Sequence, residues 1–296
     1  MTEGRERAIE SRVGVVIATR DRAARLAGTL DRLLALPERP PIVLVDNSSS
    51  DRTPALVRAR YPRVEVIELS HNHGAGARTL GIERLDVPYV AFSDDDSWWA
   101  PGALARAADL FDRHPRLGLI SARILVGSAQ RLDPTCAVMA ASPLACDSDV
   151  PGRPILGFLA CGALVRRRAY LNVGGFEPRL GVGGEEELFA LDLASSGWDL
   201  AYVDDIVAHH DPVGPADPGG RRRRMTRNEL LTTWLRRSPA SVARHTARLL
   251  RAALTDPARA RGVADAISGL PWALRHRRPV PTEVEASLRT VERGRH

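Results

Sequence analysis

Three consecutive carboxylates, Asp94-Asp95-Asp96, close the short apolar run Tyr89-Val90-Ala91-Phe92-Ser93. Such a run reads as a buried strand whose carboxyl end opens into a site. Asp94 and Asp96 are two positions apart, so on an extended backbone they point to one side and can hold a hard divalent cation, while Asp95 turns away. The competing reading is an acidic cap for the helical pattern that begins at Pro101. A second acidic cluster, Glu185-Glu186-Glu187, follows Gly183-Gly184 at a predicted helix start, where the helix dipole also favours acids. His209-His210 come after the strand-like Leu200-Ala201-Tyr202-Val203. Neutral imidazole is a good ligand for Mn2+, and adjacent residues on an extended segment face opposite ways, so one of the two is expected to reach an ion.

These side chains need a frame. Val13-Gly14-Val15-Val16-Ile17-Ala18 reads as a first strand, buried on both faces, with Thr19-Arg20-Asp21-Arg22 leaving its carboxyl end. Leu26, Leu30, Leu33 and Leu34 recur at helical spacing, and Ile42-Val43-Leu44-Val45 forms a second strand ending in Asp46. Val64 to Leu69 alternates as a third strand, and Ala77-Arg78 lead into a helix before the fourth strand at Tyr89. Four strand-helix units predict a doubly wound, mostly parallel α/β sheet, in which ligands sit beyond the carboxyl ends of the strands. Thr19, Asp46, Arg78 and the Asp triplet all belong to that edge. Gly74-Ala75-Gly76 follows the third strand rather than the first, and no Gly-Lys-Ser or Gly-Lys-Thr loop is present. Nicotinamide enzymes and P-loop nucleotidases are therefore disfavoured.

In this order the residues resemble the family 2 glycosyltransferases, which have the GT-A fold. The resemblance is carried by Val15-Val16-Ile17-Ala18-Thr19-Arg20-Asp21-Arg22, Val43-Leu44-Val45-Asp46-Asn47-Ser48, Ala77-Arg78-Thr79-Leu80 and Phe92-Ser93-Asp94-Asp95-Asp96. Val173-Gly174-Gly175-Phe176-Glu177, Gly184-Glu185-Glu186-Glu187-Leu188 and Gly197-Trp198 carry it through the second half. It implies an inverting, metal-dependent transfer of a sugar from a nucleotide-diphosphate sugar to a hydroxyl of a glycan, lipid-linked or small-molecule acceptor. Asp46 would accept a hydrogen bond from the base, with Thr19, Arg20 and Arg78 nearby on the donor. Asp94, Asp95 and Asp96 would meet the diphosphate and its Mn2+ or Mg2+, Asp96 being the expected direct ligand. His210, counted from Gly197-Trp198, falls where the family often has a metal-facing histidine, with His209 as the alternative. The base that takes the acceptor proton would be Glu186, with Glu185 next in line. The chain departs from the family at four places: Ala18 stands for a common proline, Glu186 for a commoner Asp, Leu188 for a common acid, and the stretch before Ala77-Arg78 is one residue short.

The 296 residues suffice for one catalytic domain, assigned to 13–212 (a nucleotide-sugar half, 13–96, and an acceptor half, 97–212), after a polar segment 1–12. A basic helical extension is expected over 213–296. The net charge of +6 comes mostly from after residue 220, which describes a basic tail rather than a nucleic-acid-binding domain. The tail could pack on the body, touch an anionic membrane surface or support a homodimer, and its distance in sequence from the site residues predicts that it is dispensable for chemistry. No apolar run approaches the roughly 20 residues of a membrane span, and the N-terminus lacks a signal-like segment. A cytoplasmic protein, or one peripheral at the inner membrane surface, is expected. Cys136, Cys146 and Cys161 suit a reducing compartment, with no disulfide and no zinc. Residues 130–156 fall where an acceptor-facing insertion is expected. Two other functions compete: a nucleotidyltransferase, which would carry a Gly-rich loop and lysine where Thr19-Arg20-Asp21-Arg22 stands, and a catalytically dead basic-tailed scaffold.

Overall fold

The structure, a computed structural model, describes residues 11–146, 149–212 and 217–294. Most of the polar segment 1–12, the 212/213 boundary and part of the 130–156 insertion therefore lie outside the described residues. The first half runs β1 (Val13–Thr19), α1 (Ala23–Leu34), β2 (Ile42–Asp46), α2 (Thr53–Arg60), β3 (Val64–Glu68), α3 (Ala77–Arg84) and β4 (Tyr89–Ser93). It continues through β5 (Ser97–Trp99), α4 (Ala103–Arg113), β6 (Leu117–Val126), β7 (Arg131–Leu132), α5 (Pro134–Ala140) and β8 (Arg153–Pro154). Then come β9 (Ala163–Arg166), α6 (Arg167–Asn172), α7 (Glu185–Ser195) and β10 (Asp199–His210). Five further helices follow: α8 (Pro218–Arg236), α9 (Pro239–Ala253), α10 (Pro257–Ser268), α11 (Leu270–Arg275) and α12 (Thr282–Arg293).

The strands form one sheet in the order β3-β2-β1-β4-β9-β6-β10-β5. β1 to β4 pair in parallel, as the uninterrupted apolar runs predict, while β9 enters antiparallel to both β4 and β6. The α/β class holds, with antiparallel strands confined to the second half. Leu26, Leu30 and Leu33 of α1 are fully buried on the sheet. Gly81 of α3 lets that helix approach closely, because a Cβ there would meet Val16 at 2.7 Å. The parallel register places Thr19 opposite Asp46, which brings the first two sequence signatures together at one edge.

The C-terminal helices share a core with the segment around α7. Leu180 and Leu188 are buried in one cluster with Leu230, Leu231, Trp234 and Leu235 of α8 and Val263 and Ala266 of α10. Arg236 pairs with Asp192 of α7. Of the roles expected for the tail, packing on the body is the one these contacts describe. A buried pair locks its far end: Arg237 and Glu285, 3% and 8% exposed, meet at 3.0 Å. Burial alone would raise the Glu285 carboxyl, but hydrogen bonds from Arg237 and Ser241 outweigh it and hold it down at about 2. A carboxyl depressed on folding contributes stability above its unfolded pKa and loses it as pH falls through the folded one. The C-terminal helices should therefore loosen between about pH 4.5 and 2, followed by Trp234 and Trp272 fluorescence. Glu285→Gln should remove that acid step and cost roughly 3–5 kcal/mol by leaving Arg237 buried without its partner. An unchanged melting temperature would refute this assignment.

Candidate active site

The site lies where β1, β2, β4 and β10 end. Asp46 is 2% exposed; its Oδ2 accepts the Ser49 N–H at 3.0 Å, and its buried Oδ1 has no partner. A buried acceptor without a donor is costly unless a ligand supplies one, which fits a group meant to receive a nucleobase N–H. Thr19 donates to Asp95 Oδ2 at 3.2 Å, and Thr29 donates to the Asp95 carbonyl at 2.8 Å. Arg20 lies outside this cluster, half-exposed and 3.5 Å from Asp21.

The three acids do not alternate as an extended strand would. β4 stops at Ser93, and residues 94–96 form a turn closed by the Asp94 N–H to Ser97 Oγ at 2.7 Å. The carboxylates therefore go three ways, because a turn leaves each side chain to its own nearest partner. Asp94 pairs with Arg78, which is 7% exposed between the rings of Phe92 and Phe176. Burial opposes the Arg78 charge, but Asp94, then Glu185 and Glu186, outweigh it and raise its pKa. Asp95 turns to Thr19 and Arg22, and burial with the charges of Asp96 and Asp94 pushes it up to about 6. Asp96 faces His210 Nε2 at 3.4 Å, with both side chains about four-fifths buried.

That last contact follows from the sheet. β5 pairs His210 with Ser97, and the Asp211 N–H donates to the Asp96 carbonyl at 2.9 Å. His209 points the other way, with Nδ1 at 2.6 Å from Gln130 Oε1 and its ring stacked on Trp98. Of the pair, His210 faces Asp96 and His209 does not. Burial lowers its basicity, but the Asp96 hydrogen bond and charge more than compensate and raise it. Trp98 is also covered by Arg32, and Trp99 is core, its Nε1 donating to the Phe92 carbonyl.

Gly183 and Gly184, at φ of 110° and 91°, turn the chain into α7 in a conformation that side chains rarely adopt. Glu185 is 3% exposed and accepts the Gly183 N–H; burial, then the charge of Glu186, drives its pKa well up. Glu186 is only half-buried and acts on both Arg78 and Cys161. The Cys161 thiol is raised well above its usual value by burial, then by Asp94, Glu186, Asp133 and Asp96. Its Sγ lies 3.8 Å from His210 Nδ1.

Two contributors had little sequence signal. Asn228 of α8 is fully buried, and its Nδ2 donates to the carbonyls of Leu180 at 2.8 Å and Gly183 at 2.6 Å. Arg227 donates to the carbonyls of Arg179 and Leu180. The tail thus braces the turn that presents the glutamates. A buried Asn, a weak helix former, inside a helix was the sole hint.

Among the described residues no three His, Cys, Asp or Glu side chains form a ready-made metal cluster. Asp96 and His210 together offer a carboxylate and an imidazole from one side, a donor set suited to Mn2+ or Mg2+ whose remaining positions a diphosphate would fill.

A curled, mostly parallel sheet with acids and a histidine gathered at its carboxyl edge defines a GT-A glycosyltransferase. The sequence profile of glycosyl transferase family 2 matches residues 14–173, and the chain belongs to that family. It is 28% identical over 231 residues to the N-acetylglucosaminyl-diphospho-decaprenol L-rhamnosyltransferase of Mycobacterium tuberculosis strain H37Rv, covering 66% of this chain and 75% of that one. It is 25% identical over 199 residues to the succinoglycan biosynthesis protein ExoU of Rhizobium meliloti strain 1021, covering 62% and 57%. The fold matches the mannosyltransferase PcManGT from Pyrobaculum calidifontis, solved with GDP-Man and Mn2+, at a TM-score of 0.61 and 21% identity over 95% of this chain and 86% of that one. It matches S. aureus TarS at a TM-score of 0.55 and 18% identity over 74% and 39%. The protein is a glycosyltransferase that uses nucleotide-sugar donors.

Proposed function

We propose that residues 13–212 transfer a sugar, with inversion, from a nucleotide-diphosphate sugar to a hydroxyl of a lipid-linked saccharide. The observation that carries this reading is the Asp96–His210 pair beside the Arg78–Asp94 pair, with Glu186 acting on the Arg78 charge. Asp46 receives the base through its unpartnered Oδ1, and Thr19 holds Asp95 in place by a hydrogen bond. Asp96 and His210 would hold the Mn2+ or Mg2+, which when bound offsets the charge gathering on the departing diphosphate. The acceptor oxygen attacks the anomeric carbon as the bond to the diphosphate oxygen breaks. Glu186 takes the hydroxyl proton, and the nucleoside diphosphate leaves on the opposite face. Arg78, buried beside Asp94, keeps that carboxylate in place against its neighbours.

The rhamnosyltransferase relative favours a deoxyhexosyl donor and a diphosphate-lipid saccharide as acceptor. A panel of nucleotide sugars, tested with Mn2+ on a short diphospholipid-linked saccharide, should single out one donor. NMR of the first-formed linkage should then show the anomer opposite to that of the donor. A retained anomer would sink the single-displacement mechanism, and incorporation of the nucleotide instead of the sugar would mean a nucleotidyltransferase.

A further inference from the structure

We propose that the outer face of α9, α10 and α11 is a docking surface for an anionic lipid bilayer. Residues 217–278 carry fifteen arginines and four carboxylates. All four carboxylates are engaged: Asp217 caps α8, Glu229 pairs with Arg248, Asp256 with Arg222 and Asp265 with Arg223. Arg221, Arg224, Arg251, Arg261, Arg275 and Arg278 are exposed and make no side-chain bond among the described residues. The face is therefore cationic with no free acid to offset it.

Apolar side chains share this surface. Of the eight large hydrophobic residues exposed among the described residues, four lie on these helices or at their ends, Leu250, Leu254, Ile267 and Leu274, and a fifth, Met225, is on the neighbouring α8. Leu254, at the corner between α9 and α10, is 85% exposed. Leu250 and Leu254 are one helical turn apart with Arg251 beside them. On α10 and α11, Arg261, Ile267 and Leu274 are exposed beside the buried Val263, Ala266 and Ala273, and Arg278 is exposed just after α11. Both α9 and α10 pack on α8, so their outward sides form one exterior.

Apolar residues that reach the acyl boundary, framed by arginines for headgroup phosphates, are the composition of an interfacial helix layer. A second copy of this chain is a poor occupant, because a two-fold interface would oppose arginines to arginines. Nucleic acid would match the charge but not the exposed leucines. No helix among the described residues is long and apolar enough to cross a membrane, which leaves contact with its surface. The helix on which this layer packs also reaches the site: a Cβ at Gly183 would meet Met225 of α8 at 3.5 Å. An enzyme docked here would be held at the bilayer that carries its acceptor, and this purpose rests on the lipid-linked acceptor proposed above.

The test is co-sedimentation of the full chain with vesicles, which needs neither donor nor transfer. Binding should occur to phosphatidylcholine vesicles doped with phosphatidylglycerol, be weak on phosphatidylcholine alone, and fall with added salt. Leu250→Asp with Leu254→Asp should lower the partition coefficient about tenfold or more. Arg251→Glu with Arg261→Glu should erase the preference for the anionic lipid, and both variants should keep the parent melting temperature. No binding to anionic vesicles, or binding that neither variant weakens, would overturn the proposal. So would a dimer or an RNA complex that the same changes abolish. Vesicle binding without any sugar transfer would instead count against the proposed reaction and leave the surface standing.

Discussion

Glu186→Gln should lower sugar transfer by roughly 10²–10⁴ while leaving donor affinity nearly unchanged. The amide keeps the size and much of the hydrogen bonding of the carboxylate but cannot accept the acceptor proton. Glu185 cannot readily replace it: its carboxyl is buried, and burial together with the charge of Glu186 favours its protonated form. Glu185→Gln should therefore be milder in transfer, although it removes the acceptor of the Gly183 N–H and can loosen the turn. Single-turnover transfer measured beside donor affinity, for Gln at 185, 186 and 187, separates these roles. If all three variants transfer normally, the base lies outside the cluster.

Removing the divalent ion should be as damaging. In excess chelator, transfer and tight donor binding should both collapse, and Mn2+ or Mg2+ should restore them. Asp96→Ala should reproduce the loss without chelator, by about 10³ or more, since several kcal/mol of charge stabilisation is at stake. Asp95→Asn should be gentler. It still accepts from Thr19, and it relieves repulsion among three neighbouring carboxylates. Calorimetric titration of the donor, with and without metal, gives the answer directly. Full affinity and turnover in chelator would remove the ion from the mechanism, and equal losses at 95 and 96 would show that the turn works as one unit.

The parts of the fold visible in the chain are those governed by short-range patterning. The runs at Val13, Ile42 and Tyr89 are strands within a residue of where their apolar character stops, because a parallel sheet buried on both faces needs uninterrupted hydrophobic stretches. Thr19 and Asp46 could be placed on one edge because parallel connections put successive carboxyl ends side by side. Side-chain direction at Asp94–Asp96 was not visible. It depends on a turn closed by Ser97 and on which cation each acid finds across the sheet. The antiparallel entry of β9 was equally hidden, since strand direction is set by a long connection rather than by local residues. Asn228 escaped because its partners are carbonyls some 45 residues back, at Leu180 and Gly183.

The Asn228 tie bears on how such enzymes can be recombined. Grafting the terminal helices of one glycosyltransferase onto the body of another is one way to seek a change in acceptor preference. In this chain the graft point cannot fall between β10 and α8. The side chain that holds the Gly183 carbonyl comes from one side of that junction, and the turn it holds comes from the other. A chimera cut there would pair a foreign helix with a turn fitted to a different one. The heritable unit is the turn and α8 together, so exchange should carry residues from about Leu180 through Arg236 as one cassette.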